Sequence, residues 1–386
     1  MRALTTLDDT GRAQLARLQA EAFGAPADSV QTWWTAAGEE QVHAWPDHGD
    51  VKAGLLRIGM GLFVGGRSVA AVGLAGVAVD AAQRGQGVGA AMLRDHLSAL
   101  DAPLSILYGS TRRFYAGVGY GIGGHHQRAR LPLDALRGVG THSPGWWRIG
   151  EGDWPAVHAA QRAVTRQGFG LDRGPYVWRR ITAARDVPKQ AWALGPRDDV
   201  AAWVVLSQRS QPGTEFFRLV LHDLGAVDGV SWGHLRGFVR GLAAMNTELE
   251  LCFGHTSPLL SALPEFRERV ELVEPFLLRI ADVRAALWGR GWSPVLRGEV
   301  SFAVDDPLLT ANQGPWTLTV DAGRAEVLPC ARAEVTLTIG GLASLYTGHA
   351  TAHELASLGQ ASGPAEELER LGALFAGPTP GLSEFF

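Results

Sequence analysis

Three glycines, at positions 85, 87 and 89, stand between an apolar segment and a segment with helical periodicity. Val77-Ala78-Val79 is typical of the end of a β-strand, and apolar side chains recur at helix spacing over residues 88–100. A strand, a turn and a helix start in this order form an anion site, because unpaired amides converge at a helix N-terminus and the macrodipole adds positive character. Glycine also removes the Cβ atoms that would keep a phosphate away. The spacing therefore predicts a loop that binds a pyrophosphate.

Two classes of phosphate loop use glycines at this spacing. Gly85–Ala90 satisfies the pattern G-x-G-x-x-G/A of dinucleotide-binding folds, but in those folds the first glycine follows the strand almost at once. Here residues 80–84 intervene. The arrangement V-x-V, four residues, then R-x-x-G-x-G resembles the acetyl-CoA loop of the GCN5-related N-acetyltransferases. A nicotinamide or flavin site and a purely structural glycine turn are the alternatives. The resemblance implies acetyl-CoA contacts from Val77, Ala78, Val79, Arg84, Gly85, Gln86, Gly87, Val88, Gly89 and Ala90.

A candidate acid follows the predicted strand Leu104–Tyr108. The superfamily carries a pattern like Y-x-x-x-G-[FY] on the next helix, and Tyr115 with Gly119-Tyr120 matches it. The resemblance implies that Tyr115 lies beside the cofactor sulfur. A tyrosine hydroxyl, with an unperturbed pKa of about 10, is neutral at physiological pH and can protonate a departing thiolate. The alternative is a packing aromatic, the role we expect for Tyr120.

Length and composition restrict the class of protein. A chain of 386 residues exceeds one ordinary core, so two or three domains are expected. With 46% hydrophobic and 19% charged residues, the chain is globular rather than disordered. A net charge of −4 without a Lys/Arg-rich run argues against nucleic acid as a partner. Two cysteines, no signal-peptide core and no apolar run of membrane-spanning length predict a cytoplasmic protein without membrane insertion.

The predicted elements before the loop agree with the acetyltransferase fold. In order, the periodicity predicts helix Thr10–Phe23, a second helix carrying Trp33 and Trp34, and a hairpin of strands Leu55–Phe63 and Ser68–Val79. Residues 151–253 repeat this order, but they lack R-x-x-G-x-G between strand and helix. We interpret them as a second copy without a cofactor site. From residue 282, a short helix precedes three strands and three helices, which predicts an α+β domain.

One known arrangement combines these three parts. The chain resembles the Eis (enhanced intracellular survival) family of acetyltransferases over essentially its whole length, with further specific matches at Asp282–Leu287, Leu342–Tyr346 and the Pro-rich tail that ends at Phe386. The resemblance implies an α+β (mixed α/β) fold with two tandem acetyltransferase-like domains and a sterol-carrier-protein-like domain. The expected ranges are 1–143 for the acetyl-CoA domain, 144–281 for the degenerate copy and 282–386 for the third domain.

The family's chemistry is implied by the same resemblance. It includes acetyl transfer from acetyl-CoA to amines of a cationic small molecule, aminoglycoside-like or polyamine-like, in a homohexamer. Tyr115 is then the general acid, the Phe386 carboxylate the general base, and Ser110 and Thr111 contact the cofactor. Thr111 departs from the family, which has an acidic residue there. A tail carboxylate can take the ammonium proton directly or through one water, and it needs no side chain.

Three residues are candidates for the acceptor site: Asp28, Trp34 and Glu384. The carboxylates would attract a cation, and the indole would line the pocket. Trp34 and Asp28 also have plain alternatives, as a core aromatic and a solvated loop residue. No metal is expected, because the pair His349 and His353 lacks the intervening glutamate of helical zinc sites. An acyl- or lipid-binding regulatory protein with a relic cofactor site and a protein-lysine acetyltransferase are the competing functions.

Overall fold

The computed structural model describes residues 1–47, 49–183 and 187–386. Its helices are α1 Asp9–Phe23, α2 Ala27–Ala37, α3 Val88–Ser98, α4 Arg112–Ala116, α5 Trp154–Thr165, α6 Pro175–Thr182, α7 Gly229–Gly241, α8 Val283–Gly289, α9 Ile339–Thr347, α10 Ala352–Ser357 and α11 Ala365–Phe375. Its strands are β1 Arg2–Ala3, β2 Val42–Asp47, β3 Asp50–Val64, β4 Arg67–Val79, β5 Leu104–Tyr108, β6 Gly121–Pro132, β7 Trp146–Arg148, β8 Gly170–Asp172, β9 Gln190–Leu194, β10 Ala202–Ser210, β11 Phe217–Ala226, β12 Asn246–Phe253, β13 Arg269–Ile280, β14 Arg297–Asp305, β15 Trp316–Asp321, β16 Arg324–Pro329, β17 Val335–Thr338 and β18 Ala361–Ser362.

The chain divides into two compact units. The first comprises residues 1–123, 276–378 and 386, and the second comprises residues 124–275 and 379–385. Helices and strands are both abundant, so the predicted mixed α/β class is confirmed. The three domain ranges expected from the sequence stay a prediction. No helix of the described ranges has the length and hydropathy needed to cross a bilayer.

The N-terminal part of the first unit is a sheet with strand order β1-β2-β3-β4-β5, followed by residues 276–280 of β13. The predicted hairpin is confirmed, since β3 and β4 pair antiparallel around Gly65 and Gly66. The predicted first helix is also present, because Asp8 caps the N-terminus of α1 and Gly24 ends it in the left-handed conformation. β4 and β5 are parallel and are joined through α3.

The C-terminal part of the first unit is a separate five-stranded sheet, β16-β15-β14-β17-β18, with α9, α10 and α11. The predicted alternation is confirmed in β15, where Trp316, Leu318 and Val320 are buried. The sequence alternation predicts the next strand over Glu334–Ile339, whereas β17 ends at Thr338, one residue earlier. Thr338 caps α9 by accepting a hydrogen bond from the Gly341 amide at 3.0 Å, so Ile339 begins a helix.

The second unit contains the sheet order β6-β12-β11-β10-β9-β7, with residues 127–132 of β6 paired to β12. Its β11–α7–β12 crossover joins parallel strands, as β4–α3–β5 does in the first unit. The helix starts differ. Asp228 caps α7 by accepting from the Ser231 amide at 2.7 Å, whereas Gly87 at the start of α3 offers no side-chain cap. The Asp228 carboxylate therefore already occupies the start of α7.

Some elements escaped sequence-based prediction. Among them are β2, which contains Pro46, and α6, which begins with a proline. The first half of β13 alternates charged and apolar residues from Arg269 to Glu274 but exposes most of them. Neither a proline-containing segment nor an exposed strand gives a strong periodic signal.

Candidate active site

The strands β4 and β5 part at their carboxyl ends. They are paired only over Ala71–Leu74 and Leu104–Leu107, and β4 then continues to Val79 along β3. Its register against β3 shifts beside Gly76, which has φ +59°. This bulge adds a residue to β4 and bends the strand. The resulting opening lies at the carboxyl ends of two parallel strands, which is where open α/β sheets bind ligands.

A buried amide on α1 fixes this bulge. Gln19 is fully buried, and its Nε2 donates to the carbonyl oxygen of Gly76 at 2.9 Å. Its Oε1 accepts from the indole N–H of Trp34 at 2.7 Å, and the Trp33 ring fills the space that a Cβ at position 76 would need. Sequence analysis missed Gln19, although a glutamine on the apolar face of a predicted helix is a usable signal.

Trp34 is therefore a packing residue, which corrects its expected role in the acceptor pocket. Its side chain is only 2% exposed, and its one polar atom is engaged by Gln19. A buried indole whose N–H is already hydrogen-bonded offers a second molecule neither exposed surface nor a hydrogen-bond donor. The structure agrees with the alternative interpretation, in which Trp34 is a core aromatic.

The glycine loop leaves amides open at the start of α3. Asp80 accepts from the Ala82 amide at 2.8 Å and so orders the turn after β4. Gly85 and Gly87 have φ +79° and +81°, and no atom lies within 4 Å of a Cβ placed on either one. These positions need glycine for their backbone conformation. Because Gly87 provides no side-chain cap, the first-turn amides of α3 are available to an anion.

The other predicted loop residues divide into exposed and packed ones. Residues 84–87 are exposed, Val77 and Val79 are half-buried, and Ala78 is buried. Arg84 is folded back, with its Nε donating to the Val79 carbonyl at 3.4 Å. Gly89 serves packing, since a Cβ there would lie 3.0 Å from the Phe114 ring. Val88 and Ala90 flank it in the first turn of the helix.

Tyr115 packs on the residue that follows β5. Its ring lies 2.6 Å from the Cβ position of Gly109, and the side chain is 7% exposed. It meets Tyr120 edge-on at 5.8 Å between centroids. Tyr120 is a core residue, as expected, with its hydroxyl 2.8 Å from Ser105 Oγ and its pKa raised by burial.

Ser110 and Thr111 lie in the turn between β5 and α4, and both are exposed. Thr111 is the N-cap residue of α4, but its side chain makes no capping hydrogen bond. The two hydroxyls are thus not consumed by the local backbone of the turn. They remain available to a molecule bound at the end of β5.

The last residue of the chain reaches the opening between β4 and β5. Phe386 is 5% exposed, and its ring centroid lies 5.3 Å from that of Tyr108. A Cβ at Gly73 would lie 2.5 Å from the end of the Met60 side chain and 2.9 Å from the same ring, so the glycine makes room for both. Phe386 and Tyr115 therefore pack on consecutive residues, Tyr108 and Gly109. Neither Gly73 nor Tyr108 could be singled out from the sequence, because only the folded tail gives them a role.

The remaining acceptor candidates have different environments. Asp28 is exposed in the first turn of α2. Glu384 belongs to the second unit, where it is buried and paired with Arg173, whose guanidinium also binds Asp223 at 2.8 Å. Glu384 is therefore held in a buried ion pair with Arg173, whose single positive charge it shares with Asp223. In the described part of the chain, no three His, Cys, Asp or Glu side chains are grouped to hold a metal ion.

Two family models match separate parts of the chain. An acetyltransferase (GNAT) domain matches residues 4–123, and a sterol carrier protein domain matches residues 283–383. The matched acetyltransferase domain contains the glycine loop, Tyr115 and the opening between β4 and β5. No curated protein sequence matches the chain significantly.

Several solved structures are similar to the chain over nearly its whole length. A GCN5-related N-acetyltransferase from Anabaena variabilis ATCC 29413 is 25% identical, with a TM-score of 0.93 over 98% of both chains. One from Kribbella flavida is 24% identical, with a TM-score of 0.85 over 98% of both. Eis1 from Mycobacterium abscessus is 18% identical, with a TM-score of 0.79 over 98% of this chain and 99% of that one. Because the open amides after β4 lie within the matched GNAT domain, we conclude that the chain is an acyl-CoA-dependent N-acetyltransferase.

Proposed function

We propose that this enzyme transfers an acetyl group from acetyl-CoA to an amine of a small molecule at the carboxyl ends of β4 and β5. One observation carries the proposal. Tyr115 and the chain's final residue, Phe386, pack on the consecutive residues Gly109 and Tyr108, beside the bulge of β4. The proposed acid and the proposed base thus belong to residues that pack side by side at the end of β5, and direct acetyl transfer requires both.

Acetyl-CoA is the co-substrate of this proposal, and its phosphates would lie on the open amides of the glycine loop. Gly85, Gly87 and the first turn of α3 supply these amides. The bulged end of β4, Val77–Val79, would hold the pantetheine chain, with Ser110 and Thr111 on the opposite side of the opening. The proposed contacts further include Arg84, Gln86, Val88, Gly89 and Ala90.

The chain's own groups would handle the protons. The α-carboxylate of Phe386 takes a proton from the acceptor ammonium, directly or through one water. The amine then attacks the thioester carbonyl, and a backbone N–H near Val79 stabilises the charge on its oxygen. The Tyr115 hydroxyl protonates the departing thiolate. The thioester bond breaks as the amide bond forms, so no further reactant is needed.

We propose that the chain is a relative of the Eis family, and the proposed class of acceptor rests on that resemblance. We propose a cationic small molecule, aminoglycoside-like or polyamine-like, with exposed Asp28 as its acidic contact. We assign Glu384 to holding the tail instead. A homohexamer and a cytoplasmic location belong to the same proposal. The regulatory function and lysine acetylation of a protein partner are the alternatives.

Thiol release from acetyl-CoA tests the proposal against a panel of aminoglycosides, polyamines and lysine peptides. We expect turnover with at least one amine, and loss of turnover when two residues are added after Phe386. Acetyl-CoA binding, measured by calorimetry, should survive the extension. An extended enzyme with normal kcat would refute the tail as base. Tight acetyl-CoA binding without activity on any amine would favour the regulatory function.

A further inference from the structure

Two fully buried charged side chains, Arg279 and Asp306, form an ion pair in the first unit. Arg279 is on β13, and Asp306 directly follows β14. Nη2 of Arg279 donates to both carboxylate oxygens of Asp306 at 2.8 Å, and neither side chain is exposed. Apolar residues of similar volume are often at least as stable as a buried ion pair. What such a pair adds is a fixed direction for its remaining donors.

The Arg279 guanidinium directs its other donors at backbone carbonyls. Its Nε donates to the Val118 carbonyl oxygen at 3.0 Å, and its Nη1 donates to the carbonyl oxygen of Ile280. Val118 lies in the matched acetyltransferase domain, and Asp306 lies in the matched sterol carrier protein domain. One guanidinium therefore joins the two matched domains through buried hydrogen bonds.

The Asp306 carboxylate is itself held on several sides. Its Oδ1 accepts from the amides of Leu308 and Leu309 at 3.1 and 3.0 Å, and its Oδ2 accepts from the Asn312 side-chain amide at 2.8 Å. A buried polar network that is satisfied in this way is rigid. The orientation of Arg279 is therefore set by the sterol-carrier-protein-like part of the chain.

The Val118 carbonyl belongs to the turn that follows the proposed acid. The Tyr115 carbonyl oxygen accepts from the amides of Val118 and Tyr120, both at 3.1 Å. Gly119 has φ +87°, and a Cβ there would lie 2.8 Å from the Nε of Arg279. The glycine of the Y-x-x-x-G-[FY] pattern therefore allows the guanidinium to approach this turn.

The helix that carries Tyr115 needs support from outside. α4 has only five residues, and its N-cap residue, Thr111, makes no side-chain capping hydrogen bond. A helix of this length is marginal by itself in water. The position of the Tyr115 side chain therefore depends on the contacts that hold the following turn, among them the buried bond from Arg279.

We propose that Arg279, oriented by Asp306, is a positioning residue for the general acid Tyr115. Through the Val118 carbonyl it fixes the turn after α4 and thereby the place of the Tyr115 hydroxyl. The inference rests on the proposed function, in which Tyr115 protonates the departing thiolate. It gives the sterol-carrier-protein-like domain a part in the reaction that requires no ligand of its own.

Arg279→Lys tests this role. Lysine keeps the positive charge beside Asp306, but it loses the guanidinium fork and with it the bond to Val118. Arg290→Lys is the matched control, because Arg290 is also a buried arginine of the first unit but donates to the Tyr346 carbonyl oxygen, at 2.7 Å. Thiol release gives kcat, calorimetry gives the acetyl-CoA affinity, and thermal unfolding shows that each variant is folded.

We expect Arg279→Lys to lower kcat by about 10- to 100-fold at unchanged acetyl-CoA affinity, since small misplacements of a catalytic group cost up to about 100-fold. Arg290→Lys should keep the wild-type kcat. In the Tyr115→Phe background, Arg279→Lys should lower kcat no further, because a residue that acts through the Tyr115 hydroxyl has no effect once that hydroxyl is removed. A purely structural residue would lower kcat by the same factor in both backgrounds.

Wild-type kcat in Arg279→Lys, or an equal further loss in the Tyr115→Phe background, would overturn the inference and leave the proposed function intact. Wild-type kcat in Tyr115→Phe would instead overturn Tyr115 as the acid, and this inference with it. If Arg279→Lys does not fold, Arg279→Met combined with Asp306→Asn is measured by the same criteria, because it removes both charges together and leaves no unpaired buried charge.

Discussion

The carboxamide of Gln19 donates to the carbonyl oxygen of Gly76 at 2.9 Å, and this bond fixes the point where β4 leaves β5. The same side chain accepts from Trp34, so one buried amide joins both N-terminal helices to the bulge. Two helices that contribute no proposed catalytic group thus determine the shape of the cofactor opening.

Gln19→Met is expected to weaken acetyl-CoA binding and to lower stability. It leaves the Gly76 carbonyl and the Trp34 N–H without partners, at a cost of about 1–3 kcal/mol for each buried group. Gln14→Met is the matched control, because Gln14 lies on the same helix but bonds to Asp50 and Val51. Calorimetry with acetyl-CoA and thermal unfolding measure both effects. Unchanged affinity in Gln19→Met would contradict the role of the bulge.

Gly87→Ala is expected to lower acetyl-CoA affinity by about tenfold or more. Its φ of +81° disfavours any side chain, and the new methyl group enters the open anion position. Gly24→Ala is the control, since Gly24 has φ +62° and equally open surroundings at the end of α1. Both should lose about 1–2 kcal/mol of stability. Equal acetyl-CoA affinities in the two variants would show that the glycine loop does not bind the cofactor.

Tyr115→Phe is expected to lower kcat by roughly 10²–10⁴-fold, the usual loss for a general acid, with acetyl-CoA affinity unchanged. Tyr120→Phe separates chemistry from packing. It leaves Ser105 Oγ without its 2.8 Å partner, so it should reduce stability by about 1 kcal/mol and leave kcat near the wild-type value. Steady-state kinetics and denaturant titration distinguish the two. Similar kcat values for both variants would reassign Tyr115 to packing.

Gly73→Ala is expected to displace the tail and lower kcat while acetyl-CoA still binds. The added methyl group would lie 2.5 Å from the end of the flexible Met60 side chain and 2.9 Å from the Phe386 ring, so both side chains must shift. Gly59→Ala lies on the neighbouring strand with nothing within 4 Å and should keep wild-type kcat. Normal turnover in Gly73→Ala would show that the packed position of Phe386 is unnecessary for the reaction.

His96 is expected to make stability depend on pH. It is 2% exposed on α3, neither ring nitrogen has a hydrogen-bond partner among the described residues, and burial lowers its pKa to about 3. The unfolded chain, with a pKa near 6.5, binds a proton that the native state rejects. Stability from this group is therefore full above about pH 6.5 and decreases as pH falls toward 3, by about 2 kcal/mol at pH 5.

Chemical denaturation at pH 7.5 and pH 5 measures this dependence. His96→Leu should flatten it and should not reduce stability at pH 7.5, because no hydrogen bond is lost. His353→Leu, at an exposed position, is the control variant. A wild-type slope that persists in His96→Leu would assign the effect to other groups.

The sequence by itself predicted the parts of the fold that follow from local pattern. Residues 77–89 specify a strand end, a turn and a helix start, because positive φ at Gly85 and Gly87 and helix periodicity are properties of neighbouring residues. The α1 helix and the alternation in β15 could be predicted for the same reason. The C-terminal boundary of the strand before α9 could not be located to the residue, since the cap at Thr338 competes with strand propensity.

Tertiary structure alone decided which side chains meet. Trp34 became part of the bulge support because Gln19 lies against it, and Glu384 is held in a buried ion pair because Arg173 lies beside it. The packing of the Phe386 ring against Gly73 likewise joins distant segments. Periodicity reports which face of an element is buried, but the partner on that face, and hence the charge that remains, depends on long-range packing.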